Sequence, residues 1–416
     1  MTQKGKLLFL LLVPVLMAFW WLPSIPFSTQ DRRPAFCLPL RADPGFSSEQ
    51  LPEEIAPWYH RFLAVLYNPR QYLNATLLAK SNNTYHYGRA LNTHITSMLQ
   101  VFRITGDMRI LAEVDRLAEL MRAQLRDRSV LRRGGNIHET DGYLNWQYRH
   151  DKGYEGTDVH QMDEMLSHAL IAAIARAYQV NRDLDPRYAE RARFWTDYLA
   201  NHFEAKWRKR KGIPRGFPFL EKHLIHVTMQ WIRYHYYMAQ LTGNEAYENE
   251  ARRMAETVRR HIRKIPVREG TAAMWNHTMA VKGHNAHDPQ PFQYARYTVQ
   301  AAADLASENF DVFSEPGFME DLAATLAHFV MNDLTGATFA FHIDGSGKKR
   351  ETAARYAISP WAMLGRWSDD RKILSISEKA YFLAEENPDH PRRIYIPAGM
   401  VFSLARQAPP PWRCQN

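Results

Sequence analysis

One pattern recurs about five times along this chain of 416 residues: a helix rich in small and aromatic residues, a tight polar turn, then an amphipathic helix. Residues 83–105 turn at Gly106-Asp107 into 108–125, and 158–180 turn at 181–186 into 187–203. Residues 222–241 turn at Thr242-Gly243-Asn244 into 245–262, 292–307 lead into 316–331, and 354–367 lead into 372–386. The stretches 51–67 and 394–405 supply partial units at the ends. Repeated hairpins bury their apolar faces only against one another, so they stack in an open solenoid or close into a ring. Apolar residues at Leu111, Val114, Ala118, Met121 and Leu125 follow the helical period, whereas strand-type alternation is scarce. The first helices carry polar residues amid small ones (Asn92, His94, Ser97; His160, His168, Ala169), as an inner layer would. The expected fold is all-α: an (α/α) toroid of about five to seven hairpins, an incomplete or closed barrel, spanning 51–416.

The connections are asymmetric. Turns inside hairpins are short, but the segments between hairpins are long, at 126–157, 204–221, 263–291 and 334–353. Each leads into an inner helix, which predicts that they gather on one face, and irregular segments of this length in a compact domain are commonly functional. They hold Tyr143, Trp146, Tyr148 and Trp275, read as exposed aromatics, and a basic run of Lys206, Arg208, Lys209, Arg210, Lys211 and Arg215. With 53 Lys and Arg against 44 Asp and Glu, the net charge is +9. That balance favours an anionic partner: an acidic polymer, a nucleic acid or a lipid surface.

Lys4 and Lys6 precede an apolar run at 7–22 broken only by Pro14, the pattern of an export signal. Small residues are missing where cleavage would fall, so residues 1–28 read as a signal peptide or a retained anchor, and 29–50 as a linker. A periplasmic or secreted protein is expected, with a membrane tether through this segment if it is kept. Cys37 and Cys414 are the only cysteines, so a cysteine zinc site is excluded; in an oxidising compartment the two are expected to pair.

Polar residues with chemical capacity cluster at inner-helix starts and in the connectors above them. One group holds Tyr85, Arg89, Asn92 and His94; a second Asn145, His160, Asp163, Glu164 and His168; a third His223, His226 and Gln230. The fourth comprises Asn276, His277, His284, His287, Tyr294, Arg296 and Tyr297. His160, Glu164 and His168 share a helix face, but two full turns separate the histidines by about 12 Å, too far for one ion. They read as polar residues of an inner wall, and no metal or cofactor is expected. Tyr294 and Tyr297 stand three apart, and His223, His226 and Gln230 repeat that spacing one hairpin earlier. A tyrosine acts as a base only beside cations that favour its phenolate, which Arg296 or Arg355 would supply.

Repeated helical hairpins, an export signal, a basic open face and Asn, His, Tyr and Arg in cleft-facing positions, the Asn276-His277 dipeptide among them, resemble the toroid polysaccharide lyases of the alginate and glucuronan lyase type. The resemblance covers about residues 80–390. It implies β-elimination on a uronic-acid-containing anionic polysaccharide. By the same resemblance Asn276 with His277, or Asn145, neutralises the substrate carboxylate, and His226 is the base or its orienter. Tyr297 and Tyr294 serve as base and acid, and Arg296 is a carboxylate or subsite contact. Tyr85, Arg89, His94, Trp146, Trp275 and Arg355 complete the expected substrate-binding set. A proton α to a carboxylate is too weakly acidic to remove until that charge is masked, and these residue types supply the masking donors.

Two other readings compete. A glycoside hydrolase on the same toroid needs two carboxylates about 5 to 10 Å apart; Glu155, Asp158, Asp163 and Glu164, with Asp288 or Asp344 opposite, would have to provide them. A non-catalytic polyanion-binding protein would need only the basic face. Nucleic acid is not expected, since no recognition-helix motif occurs.

Overall fold

Gly106 and Gly243 end the first helices of two hairpins at φ of 65° and 66°, the left-handed cap that a residue without Cβ adopts at little cost. The next residues but one begin new helices at once, because the Asp107 and Asn244 side chains accept hydrogen bonds from the first-turn amides of Arg109 and Ala246. Two residues therefore reverse the chain. The computed structural model describes residues 38–127, 129–130, 138–139, 142–148, 161–209, 224–280, 286–315, 317–331, 339–347, 360–368, 371–385 and 394–405.

Those residues are mostly helical. Ahead of the repeats, α1 (Ala56–Leu66) and α2 (Pro69–Ala79) form a pair whose second member the sequence reading did not include. The repeats follow as α3 (Thr84–His86), α4 (Asn92–Thr105) and α5 (Met108–Arg122); α6 (Gln161–Val180), α7 (Pro186–Tyr198) and α8 (Ala205–Lys209); and α9 (Ile225–Thr242) with α10 (Glu245–His261). Next come α11 (Phe292–Ser307), α12 (Asp311–Ser314) and α13 (Phe318–Thr325). A 3-10 segment (Met363–Trp367), α14 (Lys372–Glu385) and α15 (Tyr395–Leu404) complete the order. Four short strands, paired as β1 (Ser129–Val130) with β2 (His138–Glu139) and β3 (Arg263–Pro266) with β4 (Thr271–Met274), lie within the long connectors.

The two helices of a hairpin differ in burial. Every residue of α4 is buried, as are residues 225–239 of α9. By contrast α10 buries only Ala251, Met254, Ala255 and Val258, one stripe of an otherwise wet helix. The first helices are thus an inner layer. Within it α6 packs on α9, α9 on α11, and α15 on α4. A π turn at Tyr87–Leu91 joins α3 to α4, and there Gly88 meets α6 so closely that a Cβ would stand 2.4 Å from the Asp163 carbonyl oxygen. Only glycine fits that contact.

The two ends of the inner layer are built differently. At the starts of the inner helices the connectors are laced together: Asn83 bridges Gln147, Leu224 bridges Thr278, and Pro291 bridges His342. In each case the residue before an inner helix pairs with the next connector along the chain. At the far end, residues 38–43, part of the stretch read as a linker, are a buried strap with Leu38 and Leu40 shielded from solvent. Its amides reach the Ser307 carbonyl at 2.7 Å, the Asn181 side chain at 2.7 Å and the Gly106 carbonyl at 2.9 Å. The Asn181 amide returns a bond to the Leu40 carbonyl. No helix among the described residues is long and apolar enough to cross a membrane. The apolar run at 7–22 and both cysteines lie outside those residues.

Candidate functional site

Helices α9 and α11 lie side by side, and their first turns bring together residues drawn from two repeats and the connector between them. The His226 ring stands 4.9 Å from that of Tyr294 and 5.2 Å from that of His277, and His277 is 5.3 Å from Tyr294. One turn further along α9, the Gln230 side chain donates to the Tyr297 carbonyl at 2.8 Å. The connector is fixed against the start of α9 by the Ile225 amide on the His277 carbonyl, and against itself by the His277 amide on the Asp288 carbonyl. Asn276 donates to the Ala286 carbonyl at 3.2 Å. The rings of Tyr294, His226 and His277 therefore meet, with Asn276 next to His277 in the chain and Tyr297 one turn on from Tyr294 along α11.

Tyr297 is buried, and its hydroxyl accepts from Arg296 at 2.5 Å. The Arg296 guanidinium lies 4.5 Å from the centre of that ring. Arg296 is 7% exposed, its Nε has no hydrogen-bond partner, and no carboxylate among the described residues pairs with it. A buried guanidinium without a counter-ion is costly, since desolvation is not offset by an opposite charge. Arg89, on the π turn before α4, approaches the same phenol. Burial opposes its charge, but the charge and hydrogen bond of Asp163 at 2.7 Å outweigh that, with Tyr297 and Tyr85 adding, so its cation is held above the usual arginine range. Its guanidinium also covers the half-buried Tyr85 ring at 4.7 Å. His277 is pushed down from the usual histidine value by burial, against the nearby charge of Asp288 and with that of His342.

Several expected contacts lie elsewhere. Trp146 is 1% exposed, donates to the Met121 carbonyl and packs among Tyr87, His168, Trp195 and Tyr198, a core position rather than a sugar platform. Tyr148 is buried likewise. Trp275 is fully buried, with its indole N–H on the Gln290 side chain at 2.6 Å. His94 faces away from the cluster, lining a crevice with Gln71, Asn74, Ala75, Leu78 and Ala90, and burial lowers its pKa to about 4. Asn145 is buried in its own connector, its amide on the Tyr143 carbonyl and its backbone paired with Arg126. The corrections at Trp146 and Trp275 share a cause: the connectors pack their tryptophans into the common core of the helices. Arg355, His160, His223 and His284 lie outside the described residues.

The basic run is corrected in part. Lys206 is fully buried and ion-paired with Glu164, to which Trp207 also donates, while Arg208 pairs with Glu204. The side chains of 209–215 lie outside the described residues. His168 has its two ring nitrogens on the Glu164 carbonyl and the Tyr198 hydroxyl, and lies flat on Phe203 at 3.8 Å. Glu164 and His168 are thereby engaged in packing and pairing, and no group of three or more metal-ligating side chains occurs among the described residues.

The sequence reading missed Gln290. It is fully buried and touches Trp275, Thr298 and His226 together. Its flanks, Pro289 and Pro291, were the available signal, because two prolines hold the residue between them extended. Comparison with models of known families, with curated proteins and with solved structures finds no match for this chain.

Proposed function

We propose that the inner layer closes into an (α/α) toroid and that the chain is a polysaccharide lyase acting on a uronic-acid-containing polymer of the alginate or glucuronan type. The packing of α15 back onto α4 supports closure, and the strap at one end with laced connectors at the other leaves the inner-helix starts as the side for a polymer to approach. The observation that carries the activity is Arg296: a buried guanidinium, bonded to a tyrosine hydroxyl, with no carboxylate beside it among the described residues. A substrate carboxylate is the missing counter-ion, and its arrival lowers the cost of the buried charge while masking its own.

The reaction then runs as a β-elimination. With the carboxylate held by Arg296, assisted by Asn276 and His277, the C5 proton becomes acidic enough for Tyr297, which stands beside Arg296 and Arg89, to take it as the base. The C5–H electron pair forms the C4–C5 double bond, the C4–O4 bond breaks, and Tyr294 returns a proton to O4. His226 orients the pair. A hydrolase reading is weaker, because Asp163 is paired with Arg89 and Glu164 with Lys206, which removes two of its carboxylates.

Incubation with alginate, glucuronan and glycosaminoglycans, followed by the ultraviolet absorbance of unsaturated uronate, tests the proposal. Absorbance growing with wild type and lost in Tyr297→Phe supports it. New reducing ends without absorbance point to hydrolysis, and binding without turnover to a polyanion-binding protein; either outcome overturns the lyase assignment.

A further inference from the structure

We infer that Gln290 is a positioning residue that fixes the His226 ring as the Nε2–H tautomer, so that His226 is a hydrogen-bond donor and not the base; its catalytic consequence rests on the lyase reading, the tautomer itself does not. Three contacts carry the inference. The Trp275 indole nitrogen can only donate, and it lies 2.6 Å from Gln290 Oε1. The Thr298 hydroxyl donates to the same oxygen at 3.0 Å. That fixes which end of the amide is oxygen, since turning it over would set N–H against N–H.

The other end, Nε2, consequently donates to His226 Nδ1 at 3.1 Å. A nitrogen that accepts carries no proton, so the neutral ring bears its proton on Nε2. The amide has little freedom to do otherwise: Gln290 is fully buried, its carbonyl accepts from the Ile343 amide, and prolines flank it. The ring so held lies against His277 and Tyr294. Among the described residues, His277 from the connector, itself near Asp288 and His342, and Tyr294 from α11 bring titratable rings against it. Gln290 itself is neutral, so the tautomer survives any rise in pH.

The consequence for chemistry is specific. A neutral Nε2–H ring offers a proton to a carboxylate, an enolate oxygen or a phenolate at neutral and alkaline pH alike. It has no second lone pair with which to take the C5 proton. Abstraction therefore falls to a tyrosine.

The experiment combines nitrogen NMR with a pH profile. In wild-type protein with labelled histidine, and His226→Gln to assign the signal, His226 Nδ1 is expected unprotonated and Nε2 protonated. In Gln290→Glu a carboxylate faces Nδ1 and draws a proton onto it. The ring then becomes an imidazolium that loses Nε2–H as pH rises, giving elimination an alkaline limb, about tenfold or more in rate, that wild type lacks. A wild-type ring protonated at Nδ1, or a Gln290→Glu profile that overlays wild type, overturns the inference. The wild-type spectrum decides the tautomer even if Gln290→Glu fails to fold. If wild type turns over no uronate polymer, the lyase reading fails while the spectrum still answers for Gln290.

Discussion

Buried arginines occur at both ends of the inner layer, and their surroundings differ. At the strap end Arg103 and Arg233 share the carboxylates of Asp304 and Glu308, with the Tyr237 hydroxyl and the Leu38 carbonyl completing the group. At the connector end Arg296 has a tyrosine hydroxyl and, among the described residues, no carboxylate. The same side chain is a keystone in one place and, under the proposed function, a receptor in the other. What separates the two surroundings is whether a carboxylate among the described residues stands beside the guanidinium.

The sharpest way to break that comparison is to remove the counter-ion where the chain supplies it. Asp304→Leu leaves two buried guanidinium groups with one carboxylate, and is expected to cost about 3 to 5 kcal/mol in denaturant unfolding. A loss below about 1 kcal/mol would show that the strap end does not depend on the pairing. Arg296→Met should behave in the opposite sense. Removing an unpaired buried charge leaves stability unchanged or raised, while elimination on the responsive uronate polymer falls by about 100- to 1000-fold; a destabilised Arg296→Met with full activity reverses the assignment.

Acid probes the buried histidines, whose rings the fold keeps neutral. Burial lowers His94 and His235 from 6.5 to about 4. Between those values the unfolded chain binds more protons than the folded one, so stability is complete above about pH 7 and falls as pH drops towards 4, by about 3 kcal/mol for each ring. Thermal midpoints recorded across that range should decline, and His94→Gln should flatten the decline; a midpoint constant from pH 7 to 4 contradicts it. The smallest effect concerns the strap. Gly106→Ala puts a side chain at positive φ and a Cβ 2.5 Å from the Asp43 amide, for an expected loss of about 1 to 3 kcal/mol with activity per folded molecule retained. Wild-type stability in that variant would mean that the strap yields easily.

Much of the architecture was legible because its causes are local. Apolar residues at the helical period, with Gly106-Asp107 and Gly243-Asn244 between them, specify hairpins whoever their neighbours are, and observed helix limits fall within a few residues of the reading. Part of the site was legible for the same reason. Tyr294 and Tyr297 share a helix face by spacing alone, and His226 and Gln230 oppose them because adjacent repeats pack in order.

Burial was not legible, because it depends on residues far away in the chain. Trp146 and Trp275 look the same in sequence whether they line a cleft or fill a core, and Lys206 joins a basic run until Glu164, 42 positions earlier, buries it. Gln290 looked like a spacer between two prolines. By itself the sequence determined the repeated hairpins, their tight turns and the long segments between them, since periodicity and capping act within a few residues. Tertiary structure alone decided which arginines received carboxylates and which way one amide turned, since charge pairing and donor geometry exist only once distant segments meet.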